Sequence, residues 1–448
     1  CYYLCSVADK VFLNPQGTLG LVGMASQTMF YKDLLKKVGV EMMIFKVGTY
    51  KGAVEPFMLD KLSDANREQI QSYISTIWDN VTNGIAESRK IPVADINSFA
   101  NQGYAFSAAE KAVECGLIDE LKYRPEAEEF VKELAGQSDK RLQTASLSNM
   151  KSIKTISREK ADRIAILYAE GEIKPETPSS PYNTEQAITE KVASELIKLK
   201  NDENVKAVVF RVNSPGGSAF VSEQIWRQVI ELKKVKPIVV SMGDVAASGG
   251  YYISCAASKI VAEPNTLTGS IGIFGMVPNV KGLTDKIGLT YDVVKTNKYS
   301  DFGNIMRPFN EGEKALLQMT ITEGYNTFIG RCAEGRHMTK EAIEKIAEGR
   351  VWTGEAAKEL GLVDELGGID KALDIAVAKA DIENYTVISY PAKQDFFSSL
   401  FETKPTNYVE AQLLKSKLGE YYRQFDQLKN LQEKSMIQAR VPFELNIK

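Results

Sequence analysis

The fold class is decided by the stretch Ala207-Val208-Val209-Phe210-Arg211-Val212-Asn213-Ser214-Pro215-Gly216-Gly217-Ser218, an apolar run that passes into a glycine-rich turn. Short apolar runs of this kind are typical of strands buried on both faces of a parallel sheet. Two similar runs lie at 164–168 and 237–241, and helical periodicity is found at 184–199 and 223–232. This alternation predicts an α/β domain with a largely parallel sheet and covering helices.

An internal repeat runs through the sequence with a period near 250 residues. Residues 2–11 match residues 251–260 at an offset of 249, and the blocks 115–121 and 360–366 match later in the same order. Self-similarity at a fixed period indicates copies of one structural unit. The sequence therefore predicts a tandem duplication of the α/β domain.

The repeat also suggests how the chain is divided. We expect a first repeat over 1–157, a second, complete repeat over 158–392, and a helical tail over 393–448, where apolar residues recur at helical spacing. The second copy opens with a segment, 163–250, that has no counterpart in the first. On this basis we interpret the chain as an N-terminally truncated fragment.

The composition excludes several classes of protein. With 448 residues, 44% of them hydrophobic and 25% charged, the chain is long enough for a large core and is typical of a globular protein. The net charge of −3 provides no basic field for nucleic acid. The five cysteines are scattered without a CxxC pair, which argues against a disulfide framework and a structural zinc site. No apolar run is long enough to span a bilayer.

Small residues cluster in loops that follow the predicted strands. One loop, 213–218, either exposes backbone N–H groups to a substrate carbonyl or is a plain strand-to-helix turn. A second, 241–251, places Ser248 among glycines near the start of a helix, as a nucleophile or as a cap. A third, 266–272, lacks the lysine of a phosphate-binding loop, and its Ser270 either bonds a catalytic base or is a turn serine.

A nucleophilic serine needs a base, and the only histidine, His337, lies in a polar stretch typical of a loop or helix cap. The alternative is a lysine kept neutral by burial, whose pKa must fall from about 10.4 by roughly 2 to 4 units. Lys51 lies among small and apolar residues and is the leading choice. At its repeat-equivalent position stands Ser300, with Lys295 and Lys298 nearby as rivals.

These motifs together resemble the signal peptide peptidase A family in its long, duplicated form, also called protease IV. The resemblance rests on the stretches 48–51, 213–217, 246–251 and 266–275 and extends in order over nearly the whole chain. It implies a serine endopeptidase with a fold like the Clp protease subunit and the crotonases. It also implies that the enzyme degrades signal peptides left in the membrane after secretion.

The resemblance assigns roles residue by residue. It implies that Ser248 is the nucleophile and Lys51 the general base, that Ser270 positions the lysine amine, and that the Gly217 backbone N–H serves the oxyanion. In the long form the serine and the lysine come from different copies, which fits Ser300 at the second copy's lysine position. Whether Lys51 meets Ser248 of its own chain or of a neighbour stays open at this point.

The resemblance also implies the setting of the enzyme. We expect association with the bacterial inner membrane through an anchor absent from this fragment, with the catalytic domains on the periplasmic face. Peptides are the expected substrates, a homo-oligomeric ring such as a tetramer is the expected assembly, and no metal or organic cofactor is implied. Two rival interpretations remain, a crotonase-like acyl-CoA enzyme and a catalytically impaired scaffold.

Overall fold

The computed structural model describes residues 2–137, 141–146, 149, 162–176, 187–391 and 437–440. Its strands are β1 (Phe12–Leu13), β2 (Glu41–Lys46), β3 (Glu120–Leu121), β4 (Asp162–Glu170), β5 (Glu172–Ile173), β6 (Ala187–Ile188), β7 (Val205–Ser214), β8 (Gly216–Ser218), β9 (Ile238–Ala247), β10 (Lys259–Ala262), β11 (Leu267–Gly269), β12 (Phe274–Asn279), β13 (Val351–Thr353), β14 (Glu365–Leu366), β15 (Tyr385–Tyr390) and β16 (Ile437–Arg440). Its helices are α1 (Tyr2–Cys5), α2 (Lys32–Val38), α3 (Glu55–Met58), α4 (Asp64–Arg89), α5 (Val93–Asn101), α6 (Glu110–Glu114), α7 (Arg124–Leu134), α8 (Glu190–Asn201), α9 (Ala219–Lys233), α10 (Gly249–Tyr252), α11 (Lys281–Lys286), α12 (Glu311–Arg336), α13 (Lys340–Glu344), α14 (Gly354–Glu359) and α15 (Ile369–Ala380).

The chain forms two compact units. The smaller comprises Cys1–Ser26 and Ile74–Glu159, and the larger comprises Gln27–Tyr73 and Lys160–Lys448. The repeat boundaries were predicted from sequence similarity, whereas the two units are defined by contacts in the structure. The repeat boundaries therefore stay a prediction. Most of residues 138–161, where the first repeat ends and the second begins, lie outside the described part of the chain.

The smaller unit is mainly helical, with β1 and β3 paired in parallel. Its apolar core is formed by Val11, Leu19, Leu21, Ile85, Ile96, Phe99, Ala105, Ala112, Leu117 and Ile118. The carboxylate of Asp119 accepts a hydrogen bond from the Val11 backbone N–H at 2.8 Å and forms an ion pair with Arg89 at 3.0 Å.

The larger unit repeats this arrangement at the matching sequence positions. Strands β10 and β14 pair in parallel in the register of β1 and β3, with 261 opposite 365 where the smaller unit has 12 opposite 120. Asp364 accepts from the Ile260 backbone N–H at 2.8 Å and pairs with Arg336 at 3.0 Å. The internal repeat predicted from the sequence is thus present in the structure as a repeated strand pair with the same half-buried ion pair.

The main sheet of the larger unit has the strand order β13-β11-β9-β7-β4-β15, with β10 and β14 joined beside β9. All its neighbouring strands are parallel except β11 and β13. Two of the apolar runs predicted as strands lie within β4 and β7, and the third, 237–241, lies in β9 apart from Pro237. The predicted α/β class with a largely parallel sheet is confirmed.

Helices cover both faces of this sheet because successive strand residues point to opposite sides. In β4, Ala165 and Leu167 join the core formed with α8 and α9, whereas Ile164 and Ile166 join the core formed with α15. The predicted helix at 223–232 lies within α9.

The predicted helix at 184–199 starts later than expected. Ile188, which the helical spacing placed on that helix, lies in β6 and pairs with Ile173 of β5. Helix α8 begins at Glu190, after Thr189, whose hydroxyl accepts a hydrogen bond from the Lys191 backbone N–H. This cap and the strand pairing before it set the boundary, which side-chain periodicity does not show.

A second sheet of the larger unit has the order β2-β12-β16-β8-β5-β6. Its first four strands pair in antiparallel fashion, and β8, β5 and β6 pair in parallel. The apolar residues of the predicted helical tail, 396–425, lie outside the described part of the chain, and the four described residues of that tail form β16. Among the residues that the structure describes, no helix is both long enough and apolar enough to cross a bilayer.

Candidate active site

Ser248 lies at a sharp turn between a strand and a helix. It follows β9 directly and precedes α10, with φ of 55° and ψ of −114°, in a region that non-glycine residues seldom adopt. Its backbone N–H donates to the Gly269 carbonyl at 2.8 Å, and its carbonyl accepts from Tyr252 at 2.8 Å. Such strain is found where a side chain must be presented in one direction.

The predicted position of Ser248 just before a helix is confirmed, but α10 has only four residues. A helix this short has little macrodipole, so it contributes little to the stabilisation of negative charge at Ser248. The strained turn and the nearby backbone N–H groups are the features that bear on the chemistry of Ser248.

The residues after Ser248 must be glycines because other backbone segments lie against them. A Cβ at Gly249 would come within 2.9 Å of Ser222 Oγ and 3.1 Å of Gly216 Cα. A Cβ at Gly250 would lie 2.7 Å from the Ser214 carbonyl oxygen. The Ser-Gly-Gly sequence therefore lets the turn at Ser248 approach the end of β7 and the start of β8.

Lys51 approaches Ser248 from the segment that follows β2. Its Nζ lies 2.7 Å from Ser248 Oγ, 3.1 Å from Ser270 Oγ and 3.1 Å from the Ser270 carbonyl oxygen. All three residues have an exposed fraction of 0%. The lysine and the serine belong to the same chain and to the same compact unit.

Burial holds the pKa of Lys51 well below its ordinary value, because desolvation disfavours the ammonium form. A neutral amine has two N–H donors and one lone pair. When the amine is neutral and its two N–H groups bond the carbonyl and hydroxyl oxygens of Ser270, its lone pair remains for the hydroxyl of Ser248, whose oxygen lies 2.7 Å away. This arrangement can remove a proton from the serine, which is the first step of acyl transfer.

Two glycines leave room for the lysine side chain. Gly349 has φ of 78°, and a Cβ there would lie 2.7 Å from Lys51 Cβ and 2.8 Å from Lys51 Cδ. A Cβ at Gly272 would lie 3.3 Å from Lys51 Cδ. Both positions determine where the amine can sit.

The backbone around Lys51 is fixed by several hydrogen bonds. The Tyr50 N–H donates to the Glu348 carbonyl at 3.0 Å, and the Gln69 side-chain amide donates to the Tyr50 carbonyl at 3.0 Å. The same Gln69 accepts from the Val351 N–H at 3.1 Å, which ties the segment to β13. The Arg350 guanidinium lies 4.7 Å from the centre of the Tyr50 ring.

Ser270 directly follows β11 and has φ of 50°. Its N–H donates to the Arg350 carbonyl at 2.6 Å. The segment 349–351 therefore contacts both Lys51 and Ser270, although the sequence patterns did not predict its role.

Gly217 lies in a strand rather than in an open turn. Strand β8 pairs with Ile173 of β5 on one side and with β16 on the other, and a Cβ at Gly217 would lie 1.9 Å from the Ile173 carbonyl oxygen. Helix α9 then begins at Ala219, capped by Ser218. The helix predicted after the glycines is confirmed. The turn predicted at the glycines is wrong, because they form a strand that pairs with neighbouring strands on both sides.

Of the backbone donors near Ser248, its own N–H is already bonded to Gly269. The Gly249 N–H is at the first position of α10, where helix N–H groups have no partner within the helix. The Gly249 nitrogen lies 2.7 Å from the position a Cβ of Gly216 would occupy, so the two segments are in contact. Sequence reasoning missed Gly249 as a donor, although its place after the serine was a usable signal.

The rival bases lie elsewhere. Lys295 pairs with Asp301 at 2.8 Å, Lys298 lies over the Tyr299 ring, and these lysines and Ser300 are exposed. His337 is exposed at the end of α12 with φ of 56°, a helix-cap position as expected. Within the described residues, no group of three or more His, Cys, Asp or Glu side chains is placed to hold a metal ion.

Comparison with protein families gives two matches. The model of "Peptidase family S49" matches residues 1–138 and 230–383, two separate stretches as a tandem duplication requires. The model of "Clp protease" matches residues 162–268, which include β4, β7, β9 and Ser248. This second match agrees with the Clp-protease-like fold that the resemblance implied.

Several curated proteins are similar to this chain over most of its length. "Protease 4" of Salmonella typhi is 38% identical over 397 residues, which cover 87% of this chain and 63% of that protein. "Protease 4" of Haemophilus influenzae is 34% identical, with 93% of this chain and 68% of that protein covered. "Serine protease SPPA, chloroplastic" of Arabidopsis thaliana is 34% identical, with coverages of 85% and 57%. The chain thus spans between 57% and 68% of the length of these relatives.

Proposed function

The chain belongs to peptidase family S49, and from this premise we propose that it is a serine endopeptidase in which Ser248 is the nucleophile and Lys51 the general base. One observation carries the proposal. A fully buried lysine amine with a lowered pKa lies 2.7 Å from the hydroxyl of a serine on a strained turn. The similar proteins are named as proteases, which supports peptide-bond hydrolysis as the reaction class.

The acylation step follows from the arrangement of the amine. Neutral Lys51 takes the proton of Ser248 while Oγ attacks the peptide carbonyl carbon. The resulting ammonium keeps its hydrogen bonds to the carbonyl and hydroxyl oxygens of Ser270, which hold it near the leaving amine. Lys51 then donates its proton to that amine, the C–N bond breaks, and an acyl ester on Ser248 remains.

The oxyanion needs backbone N–H donors that already point to the place where its charge develops. We assign this role to the N–H of Gly249, at the first position of α10 directly after Ser248, and to the N–H of Gly217, as the family resemblance implies. The N–H of Ser248 is engaged with Gly269. Each such donor contributes roughly 10²- to 10³-fold to kcat in serine proteases. Water activated by Lys51 then hydrolyses the ester and restores the free serine.

The substrates and setting rest on the family relationship. We infer that the substrates are cleaved signal peptides, held in or at the membrane after secretion. We also infer an attachment to the periplasmic face of the bacterial inner membrane and a homo-oligomeric ring. Detergent-solubilised full-length protein analysed by native mass spectrometry tests the ring, which a single-copy mass contradicts.

The two rival functions have no comparable support. A crotonase-like acyl-CoA enzyme also uses backbone oxyanion donors, but it leaves the contact of Lys51 with Ser248 without a role. A catalytically impaired scaffold has no need of a buried lysine, whose desolvation disfavours the folded state.

A peptide-cleavage assay tests the proposal directly. Purified protein is incubated with synthetic signal peptides, and products are identified by mass spectrometry. Lys51→Met is expected to lower kcat/KM by roughly 10²- to 10⁴-fold, and Ser248→Ala by at least as much. The control is Lys295→Met, an exposed lysine that should leave the rate unchanged. Full activity in the Lys51→Met protein would refute the assignment of the base.

A further inference from the structure

Lys51 is the central residue of a single tight turn. Its φ of −73° and ψ of 74° are those of an inverse γ-turn, and the Gly52 N–H donates across the turn to the Tyr50 carbonyl at 2.7 Å. The turn sets the direction in which the lysine side chain leaves the backbone. One hydrogen bond of this kind contributes only about 0.5–1.5 kcal/mol, so the turn needs further support to hold the lysine in one place.

Gln69 makes a second contact with the same carbonyl. Its Nε2 donates to the Tyr50 carbonyl oxygen at 3.0 Å, and its Oε1 accepts from the Val351 N–H at 3.1 Å. The exposed fraction of Gln69 is 1%. A side-chain amide suits this place because it donates and accepts at one end. Gln69 therefore ties the turn at Lys51 to the start of β13.

The peptide group between Arg350 and Val351 connects both ends of the lysine. Its N–H donates to Gln69, which holds the backbone at Lys51, and its carbonyl accepts from the Ser270 N–H at 2.6 Å. Ser270 in turn accepts from the Lys51 amine, at 3.1 Å, with both its hydroxyl and its carbonyl oxygen. The hydrogen bonds thus form a closed ring, from the amine through Ser270, the peptide group and Gln69 back to the backbone of Lys51.

Gln69 is itself held by buried polar neighbours. Its Nε2 also donates to Asn66 Oδ1 at 2.7 Å, and Asn66 Nδ2 donates to the Glu55 carboxylate at 3.0 Å. Glu55 accepts in addition from the hydroxyl and the N–H of Ser63, at 2.5 and 3.1 Å. Gly52 leaves room for this network, because a Cβ there would lie 2.5 Å from Asn66 Nδ2. Buried polar groups are costly unless they are bonded, and a fully bonded network specifies one arrangement.

We propose that Gln69 is a positioning residue for the general base, because it fixes the turn of Lys51 at the distance from Ser270 that brings the amine to Ser248. The inference rests on the proposed function and adds to it a residue that touches neither the substrate nor the reacting atoms. A displacement of about 1 Å in a catalytic group can lower the rate by about 10²-fold. Removing the amide should therefore slow the chemical step and leave substrate binding unchanged.

Cleavage of a quenched fluorescent peptide across the pH range tests the proposal with Gln69→Met, which removes the hydrogen bonds and keeps the length of the side chain. We expect kcat to fall roughly 10- to 100-fold, with KM within about 2-fold of wild type. The acid limb of the kcat/KM profile should move to higher pH, because a displaced amine regains water and the pKa of Lys51 rises towards its ordinary value. Rates are taken per mole of folded protein, which size-exclusion chromatography and circular dichroism measure.

Two more variants complete the experiment. Gln69→Asn keeps the amide but shortens the side chain by one methylene, so kcat and the acid limb should change in the same directions. The matched control is Asn97→Leu in the smaller unit, which also removes an amide that donates to a backbone carbonyl, at 3.2 Å, and accepts from an N–H, at 2.8 Å. This control should keep the kcat and the pH profile of wild type.

The outcomes separate this inference from the peptidase assignment. If wild type cleaves the peptide and both folded Gln69 variants match its kcat and acid limb, the positioning role is refuted and the proposed function stands. A loss of rate with an unchanged acid limb, or one that Asn97→Leu reproduces, shows a purely structural role and also refutes the inference. If wild type cleaves no peptide, the proposed function fails and the inference fails with it.

Discussion

Removing the hydroxyl of Ser270 should weaken catalysis and also shift its pH dependence. The Ser270→Ala change deletes one acceptor, 3.1 Å from Lys51 Nζ, and leaves the carbonyl acceptor of the same residue in place. A hydrogen bond between neutral groups contributes about 0.5–1.5 kcal/mol, which corresponds to a roughly 2- to 10-fold loss in kcat/KM.

The shift of the pH profile follows from the charge on the lysine. A hydrogen bond from an ammonium is worth about 1.5–3 kcal/mol, roughly 1 to 1.5 kcal/mol more than one from a neutral amine. Losing it lowers the pKa of Lys51 further, because the ammonium form loses more stabilisation than the neutral amine. The acid limb of the kcat/KM profile should therefore move to lower pH in the Ser270→Ala protein.

The assay is cleavage of a quenched fluorescent peptide across the pH range, with Ser254→Ala as the matched control. Ser254 is also fully buried, and its hydroxyl donates to the Gly250 carbonyl at 2.7 Å. Both variants lose one buried hydroxyl, so their thermal stabilities should fall by similar amounts. The positioning role of Ser270 would be refuted if both variants had the same rate and the same acid limb.

Three further predictions concern Lys51, Gly349 and Arg307 of the larger unit. Because the pKa of Lys51 is lowered on folding, the unfolded chain binds an extra proton between that pKa and 10.5, so the free energy of unfolding should rise with pH across this window. Denaturant unfolding should show this slope in wild type and lose it in Lys51→Met. Gly349→Ala should reduce the rate of peptide cleavage at least 10-fold, because the new Cβ would contact Lys51 and the φ of 78° disfavours alanine. A wild-type rate would contradict the proposed position of the Lys51 amine. Arg307→Met should destabilise the protein by about 3 kcal/mol in chemical denaturation, because it strips the fully buried Glu313 of a partner at 2.6 Å, and an unchanged midpoint would show that the pair is not needed.

The parallel sheet was predictable because its signal is local. Each of β4, β7 and β9 is a short apolar run, and the alternation of its side chains between two helical layers needs no distant information. The start of α8 was not predictable in this way, since Ile188 pairs with another strand before the Thr189 cap begins the helix.

The site was predictable in its residue types and less so in its assembly. Ser248 stands out among glycines, whereas Lys51 is 197 positions away and reaches it through the pairing of β2 with β12. The need for a glycine at position 349 becomes visible only in the folded structure, where Lys51 packs against it. Long-range pairings of this kind leave no periodic trace in a sequence.

Strand β16 illustrates the same limit. Its residues belong to a tail that we predicted to be helical from apolar spacing, and they are extended because β8 and β12 offer partners on both sides. Strand pairing in the folded structure overrides the helix predicted for this tail from local sequence spacing.

The central claim, that Lys51 activates Ser248, is tested most directly by covalent labelling of the full-length protein with a serine-reactive fluorophosphonate. The adduct is located by peptide mass spectrometry in wild type, Ser248→Ala, Lys51→Met and Lys298→Ala. If Lys51 activates Ser248, Ser248 is labelled in wild type and Lys298→Ala, and not in the other two proteins. Labelling of Ser248 at the wild-type rate in Lys51→Met would contradict it.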